Sequence, residues 1–223
     1  WRLLDWLKES KSKVQFAMNS NLGIEKKTML KLLDATKGIK NFHLYTSNES
    51  IGKQTEYIRD GLNWKQWTSN MDLLLHRGNL KGLHVMCTVN ALCLETLPEF
   101  LSWCLDKKAS HGKDFPNFTL NILRFPSFQS PLVLPTEIKT LYKNNLQYWL
   151  DNNGHKTLLH EHEINHVQRL IDYLDVVKTP HSDTFEMPAL LHDFKKFYEQ
   201  YDTRRGKNFT ETFPTLTEWY KTL

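Results

Sequence analysis

Apolar and polar residues along the first two thirds of the chain switch repeatedly between a helical and a strand-like period. Residues 1–10 and 23–38 place apolar side chains every three or four positions, which predicts amphipathic helices. Short apolar runs separate the helical segments and predict four buried strands, at 13–18, 41–45, 80–89 and 117–123. This order is typical of repeated βα units, so the pattern predicts an α/β fold around a parallel sheet.

The pattern changes after the fourth predicted strand. Residues 124–135 contain three prolines, which exclude a continuous helix or a central strand and predict a loop that packs onto the rest of the protein. Helical periodicity returns after Pro135 and continues to the end of the chain. We therefore expect a βα region over residues 1–145 and a mainly helical region over residues 146–223. Within the first region, residues 52–75 are predicted to form two helical pieces that separate near Gly61.

Composition narrows the class of protein. Hydrophobic residues make up 40% and charged residues 24%, a balance typical of a globular chain. The net charge of +4 arises from charges of both signs along the chain, so we expect no nucleic-acid partner. No apolar run approaches the roughly 20 residues of a membrane-spanning helix, so we expect no membrane partner either.

Cysteine usage indicates the redox compartment. Cys87, Cys93 and Cys104 are odd in number and include no C-x-x-C pair. Their spacing does not match a zinc site, which predicts no metal site built from these three thiols. Reduced, mostly buried thiols are the simplest interpretation, and they favour a cytoplasmic protein. The chain begins at Trp1 inside a predicted helix, so we expect it to be a fragment or a processed product.

Polar side chains follow each of the four predicted strands. They are Asn19, Ser20 and Asn21 after the first strand, Ser47, Asn48 and Glu49 after the second, Thr88 and Asn90 after the third, and Arg124 after the fourth. In parallel α/β folds, ligands bind beyond the carboxyl ends of the strands. We therefore expect one shared polar pocket. The alternative is that each residue is a turn former or a helix cap.

Several motifs resemble those of the radical S-adenosylmethionine (radical SAM) superfamily, in particular members with a twitch domain, a shortened relative of the SPASM domain. In "SNESIGKQTEYIR", Ser47, Glu49 and Arg59 match a serine at a strand end, an acidic residue two positions later and an arginine twelve positions after the serine. "MNSNLGI" is similar to the Asn-Thr-Asn-Gly turn of the family, with Leu22 in place of glycine. The loop at 124–135 and the tail at 201–220 also resemble this group.

The resemblance implies a fold and a chemistry. Residues 1–145 would be part of an incomplete TIM-like parallel βα barrel, and the cofactors would be S-adenosylmethionine and a 4Fe-4S cluster. The protein would generate a 5′-deoxyadenosyl radical that abstracts hydrogen from an unknown substrate, with peptides and proteins as one class, and would need an electron donor. The cluster-binding C-x-x-x-C-x-x-C loop and the Gly-Gly-Glu-Pro motif do not occur, so we expect both upstream of residue 1.

The resemblance also assigns a role to Arg59 in cofactor binding. Its guanidinium, with the Ser47 hydroxyl, would contact the carboxylate of S-adenosylmethionine. The alternative is an ion pair on the helix surface between Arg59 and Glu56, three residues apart. Glu49 or Asn21 would contact the ribose, although Glu49 is also interpretable as a solvated turn carboxylate.

Further candidates complete the expected site. Asn90 would reach the ribose or the adenine, or would cap the following helix. Asn19 and Ser20 belong to the same predicted cofactor-binding turn. Arg124 and Phe125 are candidates on the substrate side, although core packing is the simpler role for Phe125 and Phe128. No catalytic residue is identified.

Two other functions compete with this interpretation. "HEINH" at 162–166 matches a zinc-hydrolase pattern, in which His162 and His166 bind the metal and Glu163 is the base. His155 and His160 lie just upstream, but no third ligand is evident. The other alternative is a noncatalytic α/β binding module whose polar strand ends serve only as caps.

Overall fold

The computed structural model describes residues 1–10, 13–155, 157–176 and 186–223. Within these ranges, the strands are β1 (Phe16–Asn19), β2 (Phe42–Ser47), β3 (Gly82–Val89) and β4 (Asn117–Ile122). They form one sheet in the order β1-β2-β3-β4, and every neighbouring pair is parallel. The predicted α/β class with a parallel sheet is confirmed.

Helices connect the strands and then make up the C-terminal region. The helices of the βα region are α1 (Arg2–Glu9), α2 (Lys26–Thr36), α3 (Gly52–Ile58), α4 (Trp64–Arg77) and α5 (Leu97–His111). Those that follow are α6 (Thr136–Asn153), α7 (Glu161–Leu174), α8 (Met187–Arg205), α9 (Phe209–Thr212) and α10 (Thr217–Thr222). The predicted separation near Gly61 is confirmed, because it lies between α3 and α4.

Local sequence explains how α4 begins and which face it buries. The Asn63 side chain caps the helix, since its Oδ1 accepts a hydrogen bond from the Gln66 N–H at 2.8 Å. Trp67, Met71 and Leu74 follow at helical spacing and are all buried. Trp67 also donates from Nε1 to the hydroxyl of a buried β2 threonine at 3.2 Å, which fixes α4 against the sheet.

The two faces of the sheet differ in burial. On one face, side chains such as Leu44, Val85 and Leu120 are fully buried in the core. On the other face, alternate residues such as Tyr45 and His84 stay half-exposed. Right-handed crossovers between strands in sequential order place the connecting helices on the same side, so the opposite face remains open within the described part of the chain.

The C-terminal helices share a core with the βα region. A single cluster of buried side chains extends from Leu4 to Tyr220. The boundary that we predicted near residue 145 lies inside α6, which continues without a break from Thr136 to Asn153. The mainly helical character of the C-terminal region agrees with the prediction.

The proline-rich segment forms a packed loop, as predicted. It contains two short 3-10 turns, Ser127–Gln129 and Pro131–Val133, and the residues at 131–134 are buried. The expectation of core packing is wrong for Phe125, whose side chain is 73% exposed. Phe128 packs partly against the core, and its ring centroid lies 5.3 Å from that of Phe197.

None of the described helices is both long and apolar enough to cross a membrane. The three cysteines are buried and form no disulfide, as expected. Burial raises the pKa of each of these thiols well above its ordinary value.

Candidate functional site

The turn between β2 and α3 is the most densely hydrogen-bonded of the strand ends. It carries Glu49, whose side chain is 1% exposed, and it leads to Arg59 directly after α3. Arg59 Nε donates to the two carboxylate oxygens at 2.9 and 3.2 Å, and Arg59 Nη2 donates to Oε2 at 2.5 Å. Glu49 and Arg59, ten residues apart in sequence, therefore form one bidentate ion pair.

Glu49 also connects this turn to the neighbouring strand. Its Oε2 accepts a hydrogen bond from the Thr88 N–H of β3 at 3.3 Å. Burial raises the pKa of Glu49, while the Arg59 guanidinium and the Thr88 N–H oppose that shift. The structure thus makes Glu49 a buried anchor for Arg59 rather than a solvated turn carboxylate.

Arg59 keeps part of its donor capacity. Its side chain is 26% exposed, and within the described residues Nη1 donates to no protein acceptor. The alternative ion pair with Glu56 does not form, because Glu56 accepts a hydrogen bond from the Trp64 N–H at 2.8 Å instead. Glu49 fixes the guanidinium through Nε and Nη2, while Nη1 still has donors that are not used by the described residues. Arg59 is therefore suited to bind the carboxylate of a ligand.

The residues between Ser47 and Arg59 form a buried network that sequence reasoning missed. Asn48 Oδ1 accepts hydrogen bonds from the Glu49 N–H at 3.0 Å and the Thr55 hydroxyl at 2.5 Å. The Ser50 hydroxyl lies 2.6 Å from that of Thr96, before α5. Asn48 Nδ2 is buried without a partner in the described structure. The only sequence signal was the run of four consecutive polar residues.

Ser47 ends β2 on the open face of the sheet. It is half-buried, and it pairs in register with Met86 of β3. Side chains of neighbouring parallel strands at paired positions project from the same face, so Ser47 and Met86 both line the open face. The hydroxyl is thus placed at the carboxyl edge of the sheet, close to the turn that carries Glu49.

The polar residues after β1 stabilise their own turn. The Ser20 hydroxyl accepts a hydrogen bond from the Leu22 N–H at 3.1 Å, and Asn21 Oδ1 accepts one from the Gly23 N–H at 3.0 Å. These are the local bonds that the turn-former alternative predicts. Asn19 and Asn21 are exposed, and the Ser20 N–H donates to the β2 carbonyl of Tyr45 at 2.9 Å.

Leu22 adopts a backbone conformation that is usually found at glycine. Its φ of 53° lies in the left-handed region, and its side chain is completely buried. Leucine is therefore accommodated at a position whose backbone conformation favours glycine. Asn70 Nδ2 of α4 holds this turn by donating to the Leu22 carbonyl at 2.9 Å and to the Ile24 carbonyl at 2.8 Å.

Asn90 follows β3 and caps the next turn. Its Oδ1 accepts hydrogen bonds from the backbone N–H groups of Leu92 at 2.9 Å and Cys93 at 3.2 Å. Its Nδ2 is 3.4 Å from the Thr88 carbonyl, which is a long hydrogen bond. The cap role is therefore present, and the amide nitrogen retains capacity for a ligand.

The two substrate-side candidates lie after β4. Arg124 is exposed, and its guanidinium carbon lies 5.9 Å from the centre of the Tyr173 ring of α7. Phe125 is largely exposed beside it. The structure therefore brings Ser47, Glu49 and Arg59 together with the end of β3, and it directs Arg124 toward α7.

No family model, curated protein or solved structure matches this chain. Its function therefore has to be argued from its own geometry.

The "HEINH" segment has a structural explanation in α7. Glu163 is completely buried, its Oε1 accepts a hydrogen bond from the Phe118 N–H of β4 at 3.0 Å, and its Oε2 lies 3.0 Å from Lys108 Nζ. Burial lowers the pKa of Lys108, and Glu163 opposes that shift. His166 Nδ1 lies 3.2 Å from the Leu120 carbonyl, so α7 covers the outer edge of β4.

These bonds disfavour a zinc hydrolase. A carboxylate that pairs with a buried lysine and a strand N–H is unsuited to activate a water molecule. Among the residues that the structure describes, no group of three histidine, cysteine, aspartate or glutamate side chains is arranged to hold a metal ion.

Proposed function

We propose that this chain is the S-adenosylmethionine-binding and substrate-side part of a radical SAM enzyme. The observation that carries the proposal is the Glu49–Arg59 ion pair at the end of β2, which leaves Arg59 Nη1 available for a ligand. Ser47, Glu49 and Arg59 are the same three residues that match the superfamily pattern.

The arrangement of the sheet supports the proposal that this site lies in a βα barrel. In a βα barrel, strands follow one another in sequential order, helices cover the outer face, and ligands bind at the carboxyl ends of the strands. The described strands have this order, and the open face carries Ser47, Met86 and Thr88 at its carboxyl end. We therefore propose that β1–β4 form part of a TIM-like barrel.

The donor set fits S-adenosylmethionine. Arg59 would hold the carboxylate through Nη1, with the Ser47 hydroxyl as a second donor. Asn90 Nδ2 would be available to the ribose or the adenine. Glu49 would not contact the ribose, because its oxygens already bind Arg59 and the Thr88 N–H; its role would be to position Arg59.

The described residues do not fit the iron–sulfur cluster. Cys87, Cys93 and Cys104 are buried, and no group of three metal-ligating side chains occurs among the described residues. The raised pKa of each thiol also opposes the thiolate form that metal ligation needs. We therefore assign no cluster ligand and no electron-transfer role to this chain.

The chemistry that bound S-adenosylmethionine would supply is radical abstraction of hydrogen from substrate. The residues of this chain contribute binding and orientation. The buried Glu49 fixes the Arg59 guanidinium, and a fixed guanidinium loses less side-chain entropy when it binds a carboxylate.

Equilibrium binding tests this proposal. Titration calorimetry of the protein from its complete reading frame should detect saturable binding of S-adenosylmethionine. Arg59→Ala should weaken that binding about 10- to 100-fold, as expected for the loss of a charge-assisted hydrogen-bonded pair. Arg77→Ala, an exposed arginine at the end of α4, is the matched control and should leave affinity unchanged. Equal affinities for all three proteins would refute the assignment.

A further inference from the structure

A small cavity lies between the strand-end site and the C-terminal region. It has a volume of about 100 Å³ and lies where the end of α3, the turn after β3, the first 3-10 turn and α8 meet. Its lining includes Ile58, directly before Arg59, and Asn90, directly after β3. The cavity is therefore adjacent to the proposed cofactor site.

The lining is aromatic with a polar end. Tyr57 and Tyr198 contribute ring surface, while Asn90 and Gln129 contribute amide groups. Gln129 Nε2 lies 3.4 Å from the Tyr198 hydroxyl, and Gln129 Oε1 has no hydrogen-bond partner in the described part of the chain. None of the described lining side chains is charged at neutral pH, so the cavity is suited to an uncharged group with a hydrogen-bonding end.

The size of the cavity limits its occupant. A water molecule occupies about 30 Å³ in the liquid, so the cavity holds about three waters or a side chain of similar volume. Serine, threonine and asparagine side chains are small enough to enter the cavity together with a water molecule, and each carries a donor that Gln129 Oε1 can bind.

A second cavity adjoins the first and differs from it in charge. It has a volume of about 280 Å³ and shares Phe197 and Tyr201 with the smaller cavity. Its outer wall carries Arg204 and Arg205. Arg205 pairs with Asp60 at 2.9 Å, whereas Arg204 is exposed and has no acidic partner among the described residues. Arg204 is therefore available to bind a carboxylate.

We propose that these two cavities form a peptide subsite that binds a small, uncharged, hydrogen-bonding side chain next to an acidic residue. Gln129 selects the side chain and Arg204 selects the carboxylate. The inference rests on the proposed function, because the subsite would hold the substrate beside the cofactor. Peptide binding at the subsite can nevertheless be measured without S-adenosylmethionine.

The test uses the protein labelled with 3-fluorotyrosine and observed by ¹⁹F NMR. The probes are N-acetyl-threonyl-glutamyl amide, the same compound with the residues reversed, and versions in which valine replaces threonine or glutamine replaces glutamate. Tyr198→Phe and Tyr201→Phe identify the two signals of interest. The threonine–glutamate probe, in at least one residue order, should shift both signals saturably. Valine should weaken its binding about fivefold and glutamine about threefold.

Two variants test whether the two preferences arise from Gln129 and Arg204. Gln129→Met, which is nearly isosteric, should abolish the preference for threonine over valine, and Arg204→Gln should abolish the preference for glutamate over glutamine. No saturable shift for any probe, or preferences that survive both substitutions, would overturn the subsite. Peptide binding without any S-adenosylmethionine binding would instead refute the proposed function and leave the subsite in place.

Discussion

Individual side chains in this protein have roles that depend on distant partners. Glu49 has no charged neighbour in its own turn, yet it is buried because Arg59 and the Thr88 N–H reach it from α3 and β3. The sequence, through its resemblance to the radical SAM pattern, predicted that Ser47, Glu49 and Arg59 belong to one cofactor site. It could not predict the burial of Glu49, because burial depends on how far the β2 turn folds over β3.

Leu22 shows a local conflict between backbone and side chain. A left-handed conformation costs a non-glycine residue about 1 kcal/mol or more, while burial of leucine stabilises the fold by about 2 kcal/mol. Leu22→Ala should destabilise the protein by about 2–4 kcal/mol. Leu22→Gly should be about 1 kcal/mol less destabilising than Leu22→Ala, because glycine adopts this φ without strain. Urea denaturation measures both values.

Leu33 of α2 provides the matched control. It is buried in a helix, so Leu33→Gly should destabilise the protein by about 1 kcal/mol more than Leu33→Ala. The same order of alanine and glycine at both positions would show that the backbone of Leu22 is not strained.

The coupling between Glu49 and Arg59 predicts a pH dependence. Burial raises the pKa of Glu49 above 4.5, and removal of Arg59 should raise it further. A raised pKa in the folded state gives stability that is present below the unfolded pKa and is lost as pH rises through the folded pKa. The destabilisation caused by Arg59→Ala should therefore grow as pH increases from about 4 to about 7.

Urea denaturation at several pH values checks this trend. The double variant Glu49→Gln with Arg59→Ala should lose most of it, because glutamine does not titrate. A destabilisation by Arg59→Ala that is independent of pH would indicate that Glu49 is ionised and solvated in the folded protein.

At the scale of elements, the sequence predicted most of the architecture and left the role of one motif open. Alternation of apolar runs and helical periods located β1–β4 and the helices between them, because burial on a parallel sheet leaves a strong periodic signal. The "HEINH" segment matches a zinc-hydrolase pattern, which the sequence offered only as an alternative without a third ligand. Its role in α7 depends on Lys108 and on the outer edge of β4, which lie more than 40 residues away and leave no local pattern.

The Lys108–Glu163 pair is expected to be essential for attaching α7 to the sheet. Both side chains are completely buried, so Lys108→Met should leave an unpaired buried carboxylate and destabilise the protein by about 3–5 kcal/mol. Lys107→Met is the matched control. The neighbouring Lys107 forms a more exposed pair with Asp72, and its loss should cost about 1 kcal/mol or less.

Thermal or urea denaturation distinguishes the two lysines. The double variant Lys108→Met with Glu163→Gln should recover part of the loss, because it removes both buried charges. Similar effects of Lys107→Met and Lys108→Met would contradict the role of the buried pair.

At the scale of the whole molecule, the proposed site lies at one open face and one edge of the sheet. The helices cover the opposite face, and the strand ends bring Ser47, Arg59 and Asn90 to the same region. The sequence predicted this gathering because carboxyl ends of parallel strands share an edge. It could not predict the cavity beneath α8, since the position of α8 depends on long-range aromatic packing such as that of Tyr57 against Tyr201.

The most direct test of the central claim compares two ligands on two proteins. S-adenosylmethionine carries a carboxylate and adenosine does not, so only the first should depend on Arg59. Titration calorimetry should show that Arg59→Ala weakens S-adenosylmethionine binding about 10- to 100-fold and leaves adenosine affinity unchanged. If both affinities fall equally, or if neither changes, Arg59 does not bind the carboxylate and the account is contradicted.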